Sequence, residues 1–177
     1  MYFLLIISMI LSVVLSLIGF FLMIIMVWSV LVGVPFVPTH LPQAKRMMAL
    51  GAVGPGKTII DLGSGAGRIL FLAASMGAKS IGYELNPFLY FWTKYEISKR
   101  GLKNQVSVRF KSLYKADVSS ADIVYSFLFP KPMIKLEPKL LGEMKPGAKI
   151  ISYAFKMPDV VPVIKEQGIY VYEVPVH

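Results

Sequence analysis

From Tyr2 to Val32 the chain has no charged side chain, and only Ser8, Ser12, Ser16, Gly19 and Ser29 interrupt the apolar run. A helix needs about 20 such residues to cross a bilayer, so this run is long enough with residues to spare. A cleaved signal peptide calls for a basic start, an apolar core of roughly 7–15 residues and a small-residue cleavage site, and none of these is present. The first charged residue is Lys45. Positive charge therefore follows the helix, as Lys45, Arg46 and Lys57, which predicts a single-pass membrane protein with its C-terminal domain on the cytoplasmic side. Residues 1–34 are expected to form the transmembrane anchor, with Trp28 near its exit. Residues 35–42 hold Pro35, Pro38 and Pro42 and are expected to be a stiff, extended strap. The ten residues from Gly33 to Pro42 reach at most about 35 Å, which keeps the following domain, 43–177, close to the bilayer.

Beyond the strap the period of the pattern changes repeatedly. Ala44, Met47, Met48 and Leu50 form one stripe of a short helix that Gly51 ends. Apolar runs at Lys57–Leu62, Ser80–Glu84, Val106–Lys111, Asp122–Phe129, Ala148–Phe155 and Ile169–Val174 read as strands. Helices are expected at Ala66–Met76, at Pro87–Arg100 with proline in its first turn, and at Met133–Met144 with an interruption at Pro138. Strands alternating with helices make an α/β domain: a mostly parallel sheet with helices on both faces. Ligands of such sheets bind beyond the carboxyl ends of the strands, where strand order reverses.

Composition narrows the chemistry. The 177 residues include no cysteine, and the histidines are His40 and His177, so thiolate chemistry is excluded and no metal centre is expected. The net charge of +9 lies entirely after residue 44. Its basic residues form neither a compact run nor a nucleic-acid module, so no nucleic acid is expected as partner; solvated helix faces or attraction to an anionic leaflet account for them.

Two glycine-rich stretches compete as a nucleotide site. Gly51-Ala-Val-Gly-Pro-Gly-Lys57-Thr58 fits the phosphate-loop pattern letter for letter, but a helix precedes it and a strand follows, the reverse of the order that aims backbone N–H groups at phosphates. It is read as the turn into the first strand. Asp61-Leu-Gly63-Ser64-Gly65-Ala-Gly67-Arg68 does end a strand and open a helix. Its glycines permit positive φ and close approach to a ligand. A dinucleotide loop would carry a third glycine at position 68, where this chain has arginine. Glu84 ends the second strand, where a carboxylate can accept from both hydroxyls of a ribose, and Asn86-Pro87 then turn the chain into a helix. Phe88, Phe91, Trp92 and Tyr95 follow at spacings of three and four. Packing into the core is the expected role of this stripe, with contact to a membrane surface as the alternative. The fourth strand ends in the uncharged Tyr125-Ser-Phe127-Leu-Phe129-Pro130, which can line a pocket at the carboxyl edge of the sheet. Phe127 and Phe129 suit either that pocket or the strand's core.

The Asp61–Arg68 loop with Glu84 resembles the cofactor loop of class I, Rossmann-like S-adenosylmethionine-dependent methyltransferases. Pro35-Phe-Val-Pro-Thr39 after a membrane helix, Gly82-Tyr-Glu-Leu-Asn-Pro87, Ser112-Leu-Tyr114 and the Pro130 region together resemble the membrane-anchored protein-lysine methyltransferases that modify the c-ring protein of ATP synthase and the adenine nucleotide translocase. The resemblance spans residues 20 to 158. It implies that Asp61, Gly63, Ser64, Gly65 and Gly67 surround the methionine part of S-adenosyl-L-methionine, that Glu84 holds the ribose beside Asn86, and that Ser112 and Leu113 flank the adenine. Ser112 stands where the family tends to have aspartate. Tyr125, Phe127, Pro130 and Thr39 are the candidates for the acceptor pocket. A methyltransferase sheet of this class ends in a hairpin, and with one clear strand after the fifth the sheet is expected to be C-terminally trimmed. The implied partner is a membrane protein whose lysine accepts the methyl group. A lipid, quinone or other membrane-soluble acceptor, and a non-catalytic cofactor-binding docking module, are the alternatives. Ser12, Ser16 and Gly19 could mark a helix–helix seam, and the oligomeric state stays open.

Overall fold

The computed structural model describes residues 2–31 and 37–176. The chain divides into two compact units between residues 36 and 37. The first contains α1, Tyr2–Leu31, of 30 residues. Its Tyr2–Ile24 stretch is long and apolar enough to cross a membrane. Residues 32–36, which hold the end of the expected anchor and the start of the expected strap, lie outside the described residues, as do Met1 and His177.

The second unit begins without regular structure at 37–40 and enters α2, Leu41–Gly51. The strap therefore stops earlier than expected: Pro42 lies in the first helical turn, where its missing N–H leaves nothing unpaired. Alternation of β1 (Thr58–Leu62), α3 (Arg68–Ser75), β2 (Lys79–Glu84), α4 (Pro87–Lys99) and β3 (Val106–Phe110) fills one half of the sheet. β4 (Ile123–Ser126), α5 (Pro130–Glu143), β5 (Lys149–Tyr153), β6 (Ile164–Glu166) and β7 (Ile169–Glu173) fill the other. The spatial order is β3-β2-β1-β4-β5-β7-β6. β7 runs antiparallel to both neighbours, and every other pairing is parallel. Strands buried on both faces read as continuous apolar runs, which is why Ile59, Ile60, Ile123, Val124, Ile150 and Ile151 are all solvent-free. One core cluster joins α2 (Ala44, Met47, Met48) and α3 (Ile69, Ala73) to Ile59, Ile123, Ile151 and Val171 of the sheet.

Four further expectations are corrected. The sheet is not trimmed, because β6 pairs with β7 through a Gln167-Gly168 turn in which both residues have positive φ, 49° and 76°. That is the two-residue hairpin geometry whose twist suits the flanking strands. β6 escaped notice because it is three residues long and mostly exposed. α5 starts at Pro130 and runs through Pro138. The proline takes a partner from the carbonyl of Ile134, an exposed residue where water can replace it. β4 stops at Ser126, so Phe127 and Phe129 lie past the strand rather than in its core. Finally, the Phe88, Phe91, Trp92 and Tyr95 stripe of α4 is not core: these residues are 40%, 66%, 54% and 56% exposed.

Candidate functional site

The sheet order reverses between β1 and β4, and the carboxyl ends of the strands on either side of that point carry the residues of interest. On the β1 side, Gly63, Gly65 and Gly67 have φ of 83°, 54° and 80°. A side chain is strained in this left-handed region. At Gly67 a Cβ would also stand 2.8 Å from the Phe71 ring. The loop is fastened from below: Gly63 and Ser64 N–H both donate to the Tyr83 carbonyl at 2.9 and 3.1 Å. It is fastened from the side by the Glu84 carboxylate, which accepts from Gly65 N–H at 2.7 Å. The other Glu84 oxygen accepts from Leu85 and Asn86 N–H at 2.9 and 2.7 Å. Asn86 caps α4, its side-chain oxygen accepting from Phe88 and Leu89 N–H at 3.0 and 3.3 Å. Thr93, buried on the inner face of α4, donates to the Gly65 carbonyl at 3.0 Å.

Asp61, one residue before the end of β1, is buried. Among the described residues no donor pairs with its carboxylate. Burial, and then the nearby Glu84 charge, push its pKa up to about 7. An unpartnered carboxylate beneath a glycine loop fits the ammonium group of an amino-acid-bearing ligand. Ser64 is different. A Cβ on Gly82 would stand 2.5 Å from Ser64 Oγ, so that hydroxyl is turned onto β2, buried and without a partner. Ser112 and Leu113 lie just past β3, half-buried, where Lys111 N–H donates to the Glu84 carbonyl at 3.3 Å, so they stand beside Glu84.

On the β4 side, Leu128 touches the glycine loop, 3.5 Å from where a Cβ on Gly63 would be. Phe127 packs edge-on against Tyr153 with ring centroids 4.9 Å apart, and Phe129 against Phe155 at 5.2 Å. Tyr153 ends β5, and Ala154 after it holds a positive φ of 66°. Ser152 Oγ donates to the Phe155 carbonyl at 2.5 Å, and Met157 N–H donates to the Tyr172 hydroxyl at 2.8 Å, which fixes this turn. Pro130 is exposed at the start of α5.

Two expected pocket residues sit elsewhere. Tyr125 is wholly buried, pairs in register with Asp61 across β1 and β4, and donates to the Met47 carbonyl at 3.1 Å. Burial and the Asp61 charge raise its pKa. It braces α2 rather than lining an opening. Thr39 is buried with its carbonyl accepting from the Arg68 guanidinium, so it anchors the chain entering α2 to the start of α3. Tyr153, Phe155 and Thr93 were missed from sequence. The first two were legible in principle, since they stand at and just past the end of β5 as Phe127 stands just past β4. Nothing in the spacing distinguishes Thr93.

Residues 61–164, more than half of the chain, match the family model for the ANTKMT methyltransferase domain. The human lysine N-methyltransferase named for the c-ring protein of ATP synthase is 33% identical over 131 residues, which cover 74% of this chain and 56% of that protein. A protein-lysine N-methyltransferase of Saccharolobus islandicus is 32% identical over 126 residues, covering 70% of this chain and 78% of the relative. Among solved structures, one described as an RNA methyltransferase from Salinibacter ruber in complex with S-adenosyl-L-homocysteine superposes with a TM-score of 0.76 at 33% identity. It covers 80% of this chain and 95% of that one. This chain thus spans just over half the length of the human relative.

Proposed function

Because this chain belongs to the ANTKMT methyltransferase-domain family, we propose that it is a membrane-anchored, S-adenosyl-L-methionine-dependent enzyme that methylates lysine side chains of a membrane-associated protein. The observation that carries this reading is the meeting of two unlike walls at the carboxyl edge of the sheet, where Leu128 reaches Gly63: a glycine loop over a buried carboxylate, and an uncharged aromatic end of β4 and β5. Relatives named for lysine methylation of the ATP synthase c-ring protein and the adenine nucleotide translocase supply the acceptor class.

The residues fit the cofactor. Asp61 would meet its ammonium group, Gly63, Gly65 and Gly67 would admit its chain, Glu84 would face the ribose, and Ser112 with Leu113 would border the adenine. When bound, the cofactor supplies an activated methyl on sulfur. The chain's own contribution is alignment and exclusion of water. A lysine amine with a free pKa of about 10.4 must arrive neutral to form its N–C bond as the S–C bond breaks. The Phe127, Tyr153, Phe129 and Phe155 rings offer an apolar wall, and desolvation disfavours the ammonium form. The ammonium's extra proton leaves to solvent before attack, and the methylated amine then carries the positive charge that the sulfonium gives up.

The anchor reading rests on α1, an N-terminal helix apolar over its whole length, with Lys45 and Arg46 following it. Its exposed aliphatic surface suits lipid, and the positive-inside rule favours a cytoplasmic catalytic domain. The test is incubation of the purified chain, and of Gly65→Arg, with methyl-labelled cofactor and membranes of the source cell, followed by separation of protein, lipid and RNA. Label in a protein band, lost in the variant and mapped to lysine, is the expected result. Label confined to lipid or to RNA overturns the acceptor class, and cofactor binding without transfer overturns the enzyme.

A further inference from the structure

α4 turns as much apolar surface outward as inward, unusual for a helix flanking a sheet. Its inward side holds Thr93, Glu96 and Ile97, all buried, while Phe88, Phe91, Trp92 and Tyr95 form a stripe on the outward side. The inward polarity has a cause: the Thr93 hydroxyl serves the Gly65 carbonyl, and Glu96 is held by Arg100 at 2.7 Å. Nothing of that kind accounts for Phe91, Trp92 and Tyr95 facing outward. They are not scattered, since the Trp92 and Tyr95 rings are 6.1 Å apart and Tyr90 joins Phe91 at 5.2 Å. Contiguous exposed apolar patches on a soluble surface mark a site of contact.

We propose that this outward face of α4 docks onto the headgroup layer of an anionic lipid bilayer. Residue type and charge select that occupant. Tryptophan and tyrosine favour the membrane–water boundary, where an apolar ring body and a polar tip are both accommodated. Lys94 and Lys99 lie among the rings, their ammonium groups 5.5 and 5.7 Å from the centroids of Tyr90 and Tyr95, and their stems can lie along apolar surface with the charge in water. The carboxylate of α4 is turned inward, so the face offers no negative charge to repel phosphate. A second copy would set these lysines against their own equivalents. The chain's positive charge and its apolar N-terminal helix bring it to such a surface in any case. Phe88, the second residue of α4, closely follows Glu84 and Asn86, so the docked face adjoins the carboxyl edge of the sheet. The same helix reaches the cofactor loop through Thr93, which places the lipid surface one helix away from Gly65. This contact is separate from the anchor and independent of which acceptor is methylated.

The absence of cysteine makes the test clean. Single cysteines Phe91→Cys and Trp92→Cys, with Ser75→Cys as a control on α3, are labelled with an environment-sensitive fluorophore in the full chain. Each is reconstituted at one copy per nanodisc of phosphatidylcholine, with or without phosphatidylglycerol. As a second measurement that leaves α4 unaltered, a Trp28→Phe chain reports Trp92 through quenching by brominated lipid. The expected result is a blue-shifted, quencher-protected signal at 91 and 92 in anionic discs, diminished by salt and in neutral discs, and absent at 75, with Trp92 quenched by lipid. Signals at 91 and 92 as wet as at 75, in chains that co-elute with discs, overturn the docking and leave the anchor standing. Shielding that needs two copies per disc, or an added membrane protein, overturns it in favour of those partners. Chains that elute apart from the discs overturn both docking and anchor. Methyl transfer is scored separately and bears on neither.

Discussion

Asp61→Asn should stabilise the domain while disabling it, and the pH dependence of that effect is calculable. The carboxyl rises from an ordinary value of 3.8 to about 7, through burial first and the Glu84 charge second. That span corresponds to about 4 kcal/mol of cost for ionising the group in the folded chain. For an acid whose folded pKa is raised, the sign is fixed. Its contribution to stability is fully present below pH ~4 and is lost as pH rises through about 7. Asparagine has no charge to bury, so the variant escapes this loss. The amide brings its own hydrogen-bonding needs, about 1–3 kcal/mol if unmet, but that penalty does not depend on pH. The difference in unfolding free energy between variant and parent should therefore grow by about 4 kcal/mol from pH 4 to pH 8. Urea unfolding of the detergent-solubilised chain without cofactor, followed by near-ultraviolet dichroism of the buried Tyr83, Tyr125 and Tyr172, measures it. A difference that stays constant with pH, or that grows towards acid, refutes the reasoning. The same group links binding to protons. A cationic ammonium needs Asp61 ionised, so parent affinity for S-adenosylmethionine should weaken about tenfold per pH unit below about 7, and the variant should show no such slope.

Gly82→Ala puts a methyl 2.5 Å from Ser64 Oγ and 2.7 Å from Leu70, which should shift the glycine loop, destabilise by about 1–3 kcal/mol and weaken cofactor binding as seen by calorimetry. Thr93→Val removes the donor to the Gly65 carbonyl at nearly constant shape. A loss of about 1–3 kcal/mol in thermal or urea unfolding is expected, with weaker cofactor binding. Phe127→Ala should leave cofactor affinity unchanged and lower kcat/KM for the lysine acceptor by roughly tenfold, through loss of the edge-packed wall with Tyr153. Glu166→Gln breaks the Arg46 pair at 2.5 Å between α2 and β6, but both partners are a third or more exposed, so the midpoint of urea unfolding should stay at the parent's value.

The half of the site that lies in one stretch of chain was legible in the sequence, and the half assembled by tertiary contact was not. Asp61 through Gly67 and Glu84 depend on a strand, a turn with positive φ and a strand end, all local properties. Ser64 looked like part of the same loop, yet its hydroxyl faces β2, because the missing side chain at Gly82 opens room for it there. Tyr125 looked like pocket because it ends an apolar strand. Alternation along β4 turns it instead to the face covered by α2, and no local pattern says which face is covered. β6 failed for a related reason: three half-exposed residues have no period of their own and become a strand through pairing with β7. The α4 stripe shows the limit of periodicity most plainly. Spacing identified one face of a helix correctly, but the polar needs of Gly65 and Arg100 decided that the opposite face points inward.

The contact between Arg68 and the Thr39 carbonyl sets a boundary for anyone who wishes to cut this protein free of its apolar helix. The first residue of α3 is held by main chain that precedes α2, so a truncation beginning at Leu41 would look complete by secondary structure and yet release the arginine beside the glycine loop. A version beginning at Val37 retains the carbonyl and its peptide neighbours. The useful start of the second unit is thus set by one hydrogen bond in an irregular stretch, two residues upstream of its first helix.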